Sequence, residues 1–123
     1  MKENKSFSII ERLKSFWYAF QGIVTFFRTQ HNAWIHFAAA LVAISLGFYF
    51  HISKEEWGLI VISIALVFIT EMLNTAVEFL TDLVSPQFHP LAKKAKDVAA
   101  ASVLFAALAA IVLGAIVFVP KIR

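Results

Sequence analysis

Hydrophobic and polar positions divide the chain into four stretches. From Phe7 onward, Ile10, Leu13, Phe16 or Trp17, Phe20, Ile23 or Val24 and Phe27 recur at helical spacing, with Glu11, Arg12, Lys14, Ser15, Gln21 and Arg28 among them. Aromatic residues on one face and basic ones on the other predict a helix lying in the membrane interface over about residues 7–28. A secretory signal peptide would set its basic residues ahead of one unbroken apolar core, and the interspersed charges here exclude that pattern. Ala33 to Phe50 carries no formal charge, and at about 1.5 Å per residue this stretch reaches roughly 27 Å, close to the thickness of the hydrocarbon layer. His51 to Glu56 reads as a tight, water-exposed turn. Trp57 to Thr70 is again free of charge, and the helical pattern continues through EMLNTAVEFLTDLV to Val84, where Ser85 and Pro86 end it. Val98 to Val119 is a third apolar span, rich in alanine and closed by Pro120. The pattern predicts an all-α membrane protein of one domain, residues 1–123, with an N-terminal interfacial helix and spans at about 33–50, 57–84 and 98–119.

Composition supports this picture. The chain is 60% hydrophobic and 15% charged with a mean hydropathy of +0.77, whereas soluble domains are roughly half apolar and a quarter charged. The absence of cysteine excludes disulfide frameworks, thiolate nucleophiles and Cys-based zinc sites. A net charge of +3 lies beside apolar spans, where anionic headgroups account for it and nucleic acid is not needed. Lys2, Lys5, Arg12, Lys14 and Arg28 precede the first span and Lys93, Lys94 and Lys96 lie between the second and third, against Lys54, Lys121 and Arg123 at the other ends. The positive-inside rule then predicts a multi-pass protein with its N-terminus and the 85–97 loop in the cytoplasm and its C-terminus outside.

The second span carries the candidate chemistry. At about 100° per residue from Glu71, Asn74 falls near 300°, Glu78 near 340°, Asp82 near 20° and Thr75 near 40°, so they share one stripe. A charge at mid-membrane costs on the order of 2.5 to 3.5 kcal/mol on insertion scales, so the stripe must face protein, water or a cation. A helix that simply emerged into water after Thr70 would not need Leu73, Val77, Phe79, Leu80, Leu83 and Val84 on its other faces. Hard oxygen ligands suit magnesium, which usually arrives with substrate phosphates and few protein ligands, and a neighbouring carboxylate can take a proton from an attacking hydroxyl. The following SPQFHPLAKKAKD supplies positive charge; Lys93 and Lys94 read as headgroup-snorkelling side chains, and a lysine ammonium at Lys96 can neutralise phosphate oxygens. A cation channel or transporter is the leading non-enzymatic alternative, but it would need polar positions along a whole span, and Trp57 to Ile69 is dry.

Other residues read as structural. His31, His36, His51 and His89 are scattered over loops and different helix faces, which predicts interfacial or packing roles. Trp17, Trp34 and Trp57 fall at span edges, as an aromatic belt requires. Ala95, Ala99, Ser102, Ala106, Ala110 and Gly114 form a small-residue stripe that permits close helix approach.

EMLNTAVEFLTD followed by AKDVAAA resembles the signature of the prokaryotic diacylglycerol kinase family, which includes undecaprenol kinases, and the resemblance runs from about Phe16 to Ile122. It implies an ATP- and Mg²⁺-dependent lipid kinase of the bacterial cytoplasmic membrane, a homotrimer whose active sites combine neighbouring subunits. By the same resemblance Glu71 is the general base at the lipid hydroxyl, and Glu78 a metal ligand that also borders nucleotide. Tyr18, Asn74, Asp82, Gln87, Phe88, His89, Lys96 and Asp97 are implied on the nucleotide side, and Arg12 is the nearest match to a surface-helix arginine at the substrate. LAKKAKDVAAA is more similar to undecaprenol kinases than to the diacylglycerol kinases. One position departs: Gln30, in RTQHNAWIH, stands where the family usually carries a second metal-binding glutamate. An amide offers an oxygen but no charge, which implies weaker metal binding or an inactive variant. Gln30→Glu is therefore expected to lower the magnesium concentration needed for half-maximal activity; a titration that leaves this unchanged removes position 30 from the metal site.

Overall fold

The computed structural model describes residues 8–123, and within them every regular element is helical: α1 (Ile9–Thr29), α2 (His31–Tyr49), α3 (Lys54–Val84) and α4 (Pro90–Ile122). Phe7 and the basic residues Lys2 and Lys5 lie outside the described residues. In the bilayer no water can satisfy backbone groups, so the apolar stretches close their hydrogen bonds internally as helices. α2, α3 and α4 are long and apolar enough to cross a membrane, and the protein is a multi-pass membrane protein.

α1 begins at Ser8, whose side chain accepts from the Glu11 N–H at 3.4 Å, and its apolar face is left exposed at Ile10, Leu13, Phe16 and Phe20. It stops at Gln30, one extended residue (φ −117°, ψ 115°) that separates it from α2. Aromatic rings hold the corner: the Phe27 ring lies 5.0 Å from Trp34, 6.0 Å from Phe37 and 6.2 Å from Phe68. Trp34 also donates its indole N–H to the Phe27 carbonyl at 2.9 Å, so it joins α1 to α2 as well as sitting at a span edge. Phe68 belongs to α3, so the same cluster ties the corner to the middle of the next span.

The α2–α3 connection is a tight turn. His51 has φ 51°, its N–H donates to the Phe48 carbonyl, and the Ile52 N–H reaches back to the Gly47 carbonyl, the left-handed termination that closes many helices. His51, Ser53, Lys54 and Glu55 are exposed, as the sequence predicts; Ile52 departs, being buried with Ile60 and Val117 in a small core. Ser53 then caps α3: its hydroxyl accepts from the Glu56 N–H while the Glu56 carboxylate accepts from the Ser53 N–H. The helix therefore starts at Lys54, before the span's apolar run.

α3 and α4 form the most extensive interface. The loop between them is shorter than 85–97, because Pro90 is pre-set for a first helical position and the His89 ring caps the helix by accepting from the Leu91 N–H at 3.1 Å. Lys93, Lys94, Lys96 and Asp97 thus sit on the first turns of α4. Nor does Pro120 end the helix; α4 runs through it to Ile122 with the Pro120 backbone hydrogen bond forfeited, and Lys121 binds Glu56 of α3 at 3.1 Å. At the other end Lys96 binds Asp82. The two ion pairs lie about 39 Å apart along α3 and about 38 Å apart along α4 at 1.5 Å per residue, so both fit a single antiparallel register. Of the small-residue stripe, Ala106 is buried, while Ala110 and Gly114 line a cavity between α2, α3 and α4.

Gly47 is a tight point. A Cβ there would lie 2.6 Å from the Trp57 ring and 3.1 Å from Ile52, whereas one at Gly58 meets nothing within 4 Å. Gly47→Val is expected to destabilise the protein by about 1–3 kcal/mol through overpacking. Gly58→Ala should cost nothing and gain up to about 1 kcal/mol of helix propensity. Thermal unfolding of the purified variants in detergent measures both.

Candidate active site

Glu71 is the dry end of the stripe. It is 4% exposed, and its carboxylate Oε1 lies 2.8 Å from His36 Nε2 on α2. Thr75, one turn on, is also buried and donates its hydroxyl to the Glu71 carbonyl at 2.9 Å, so it makes no demand on the carboxylate. The sequence predicts a packing or interfacial role for His36; instead it partners the most buried acid among the described residues. The signal was in the sequence, since a lone titratable side chain in a charge-free span must find a polar partner, but only the fold shows that α2 and α3 bring these two residues together.

Asn74 and Glu78 occupy the next turns. The Asn74 amide donates to Glu78 Oε1 across a long 3.4 Å, and Asn74 Oδ1 is buried without a hydrogen-bond partner. A carboxylate beside an unused amide oxygen is a set of hard donors suited to a small divalent cation. Among the described residues no three His, Asp or Glu side chains converge as a complete metal site, so any cation here would take remaining ligands from water or substrate. Gln30 is occupied locally: its amide donates to Thr29 Oγ1 at 3.2 Å, at the α1–α2 corner.

Asp82 and Lys96 close the stripe at its polar end, with Lys96 Nζ 2.5 Å from Asp82 Oδ1. Asp97 does not join them, because the next position on a helix points about 100° away, and it binds Lys93 at 2.6 Å. Gln87, Phe88 and His89 form the exposed α3–α4 turn, where the Gln87 carbonyl accepts from Ser85 Oγ at 2.8 Å. Tyr18 and Arg12 are exposed on α1. That helix lies along the half of α3 that bears the acids, leaving a cleft of about 390 Å³ lined by Gly22, Thr25 and Phe26 on one side and Met72, Thr75 and Phe79 on the other.

On the far side of Glu71 a second cavity, of about 350 Å³, extends from His36 between α2, α3 and α4 and is walled by Ala40, Val67, Ala107 and Gly114. Its lining is almost wholly apolar. Below Glu71 α3 offers no continuous polar track: Ser63 and Thr70 donate their hydroxyls to backbone carbonyls of their own helix. The polar stripe of this membrane protein thus opens at one end and stops at a buried acid beside an apolar cavity.

The sequence profile of prokaryotic diacylglycerol kinase matches residues 17–118. The chain is 41% identical over 109 residues to the undecaprenol kinase of Bacillus subtilis, covering 89% of each. It is 39% identical over 111 residues to the diacylglycerol kinase of a Synechocystis species, covering 89% of this chain and 63% of that one. To the diacylglycerol kinase of Escherichia coli it is 32% identical over 87 residues, covering 65% of this chain and 71% of the other. The chain belongs to the prokaryotic diacylglycerol kinase family and is a lipid kinase.

Because Asp82 and Lys96 are both well exposed, their ion pair contributes little to folding. Asp82→Asn and Lys96→Met are each expected to change stability by less than about 1 kcal/mol, read by thermal unfolding. A much larger loss would make the pair a structural lock and not a functional one.

Proposed function

We propose that the chain transfers the γ-phosphate of ATP to the hydroxyl of a membrane lipid at the cytoplasmic face, with Glu71 as general base. The observation that carries this reading is the burial of Glu71 at the dry end of a stripe whose other end carries Asp82 and Lys96. A lipid hydroxyl can reach the acid from the hydrocarbon side, where the apolar cavity lies, while a polyanionic nucleotide enters from the water side near Lys96. Glu71 accepts the hydroxyl proton as the lipid oxygen bonds to the γ-phosphorus. The bond from that phosphorus to the β–γ bridging oxygen breaks, and ADP leaves with the electron pair. Most of the acceleration comes from positioning the two substrates.

Glu78 and Asn74 are the residues that would hold Mg²⁺, and the unpartnered Asn74 oxygen supports that assignment. When bound, the ion neutralises charge on phosphate oxygens. Lys96 can add to this once it exchanges Asp82 for phosphate. Tyr18, Gln87, Phe88, His89 and Asp97 are assigned to the nucleotide side, and Arg12 to the lipid side, on family resemblance. The distribution of Lys and Arg supports a cytoplasmic N-terminus and an external C-terminus in the bacterial cytoplasmic membrane. A homotrimer with shared sites is assigned on family resemblance.

Undecaprenol is the favoured lipid, because the B. subtilis relative of that name aligns over 89% of both chains. Diacylglycerol is the second reading, on the Synechocystis and E. coli relatives. The test is ATP-dependent phosphate incorporation into each lipid, side by side. Glu71→Gln is expected to abolish incorporation into both while the protein stays folded and still binds nucleotide; full residual activity refutes the base assignment.

A further inference from the structure

His36 is a titratable side chain in a span otherwise free of charge, and its position against Glu71 needs an account beyond mutual satisfaction. A general base must be ionised before it takes its proton, and an ionised carboxylate only accepts, so in that state the imidazole donates from Nε2 to Glu71 Oε1 across the 2.8 Å contact. The ring is itself held, because Phe68 meets it edge-on with centroids 6.4 Å apart, and Phe68 packs in turn against Phe26 and Phe27 of α1. The carboxylate therefore has one oxygen engaged by a donor whose own orientation is fixed by the aromatic corner.

We infer that His36 is a positioning residue for phosphoryl transfer: it clamps Glu71 Oε1 and so turns the free oxygen, Oε2, toward the lipid hydroxyl. This rests on the assignment of Glu71 as the base. The logic is that of any orienting group behind a general base, in which a fixed hydrogen bond limits the rotamers of the acid and keeps it in reach of the proton it must take. Removal of the clamp leaves nucleotide binding untouched, because His36 lies on the hydrocarbon side of Glu71, where it lines the apolar cavity, and the charged end of the stripe lies beyond Asn74 and Glu78. The loss then falls on turnover. It also predicts that another donor of similar reach can substitute, which a role in filling space does not.

The experiment compares His36→Leu, His36→Gln and His36→Asn in the full-length protein reconstituted with lipid substrate, alongside Glu71→Gln. His36→Leu is expected to lower kcat by about 10- to 100-fold with the KM for ATP unchanged within about twofold. His36→Gln, whose amide N–H reaches about as far as Nε2, restores kcat to within about fivefold of the parent. His36→Asn, polar but too short to reach Glu71, falls with His36→Leu, and it tests the same point without setting an apolar side chain against a buried acid. Full turnover in His36→Asn, or equal losses in the Gln and Asn variants, overturns the positioning role. An inactive Glu71→Gln together with a fully active His36→Leu removes His36 alone, whereas an active Glu71→Gln removes the base assignment beneath it.

Discussion

A carboxyl group buried inside a membrane-spanning helix must be satisfied by protein, and that requirement at Glu71 organises much of what surrounds it. Lipid offers neither a hydrogen bond nor a counter-charge. The chain answers with His36 from the preceding helix, which obliges α2 and α3 to meet at one register. The same register sets Phe68 against Phe26 and Phe27, so the surface helix turns at Gln30 and lies along the acid-bearing half of α3. The path of α1 thus follows in part from the need to house one acid.

Packing within one subunit is thin. Ile52, Ile60 and Val117 form the small buried cluster near one end of the bundle, and most large apolar side chains of α4 face outward. Between helices in lipid there is little hydrophobic gain, and close approach through small residues or polar contacts takes its place. The α3–α4 hairpin shows both devices, with Ala106 buried at the interface and an ion pair at each end. It is a scaffold of backbone hydrogen bonds and registry more than a core in the soluble sense.

The architecture was legible because it depends on long, uninterrupted stretches. Three charge-free runs predict three spans, and their positions agree with α2, α3 and α4. The ends were less legible, since capping is decided by single residues: the Ser53–Glu56 box starts α3 early, His89 and Pro90 start α4 early, and α4 continues through Pro120. Within the stripe, helical periodicity alone places Glu71, Asn74, Glu78 and Asp82 on one face. Periodicity is silent about partners on other helices. It therefore missed His36, and it does not show that the neighbours Lys96 and Asp97 turn to different partners, Asp82 and Lys93.

The ion pairs at the two ends of the α3–α4 hairpin also make it a ruler. They stand about 39 Å apart along the helix, more than the roughly 30 Å of hydrocarbon and slightly less than the whole bilayer. Both therefore belong among the headgroups of an upright hairpin. The extensive α3–α4 interface resists sliding one helix against the other, so a thinner membrane is met by tilting the hairpin as one body. Tilt swings the depth of Glu71 relative to the headgroups, and bilayer thickness becomes a quantity the catalytic level must match.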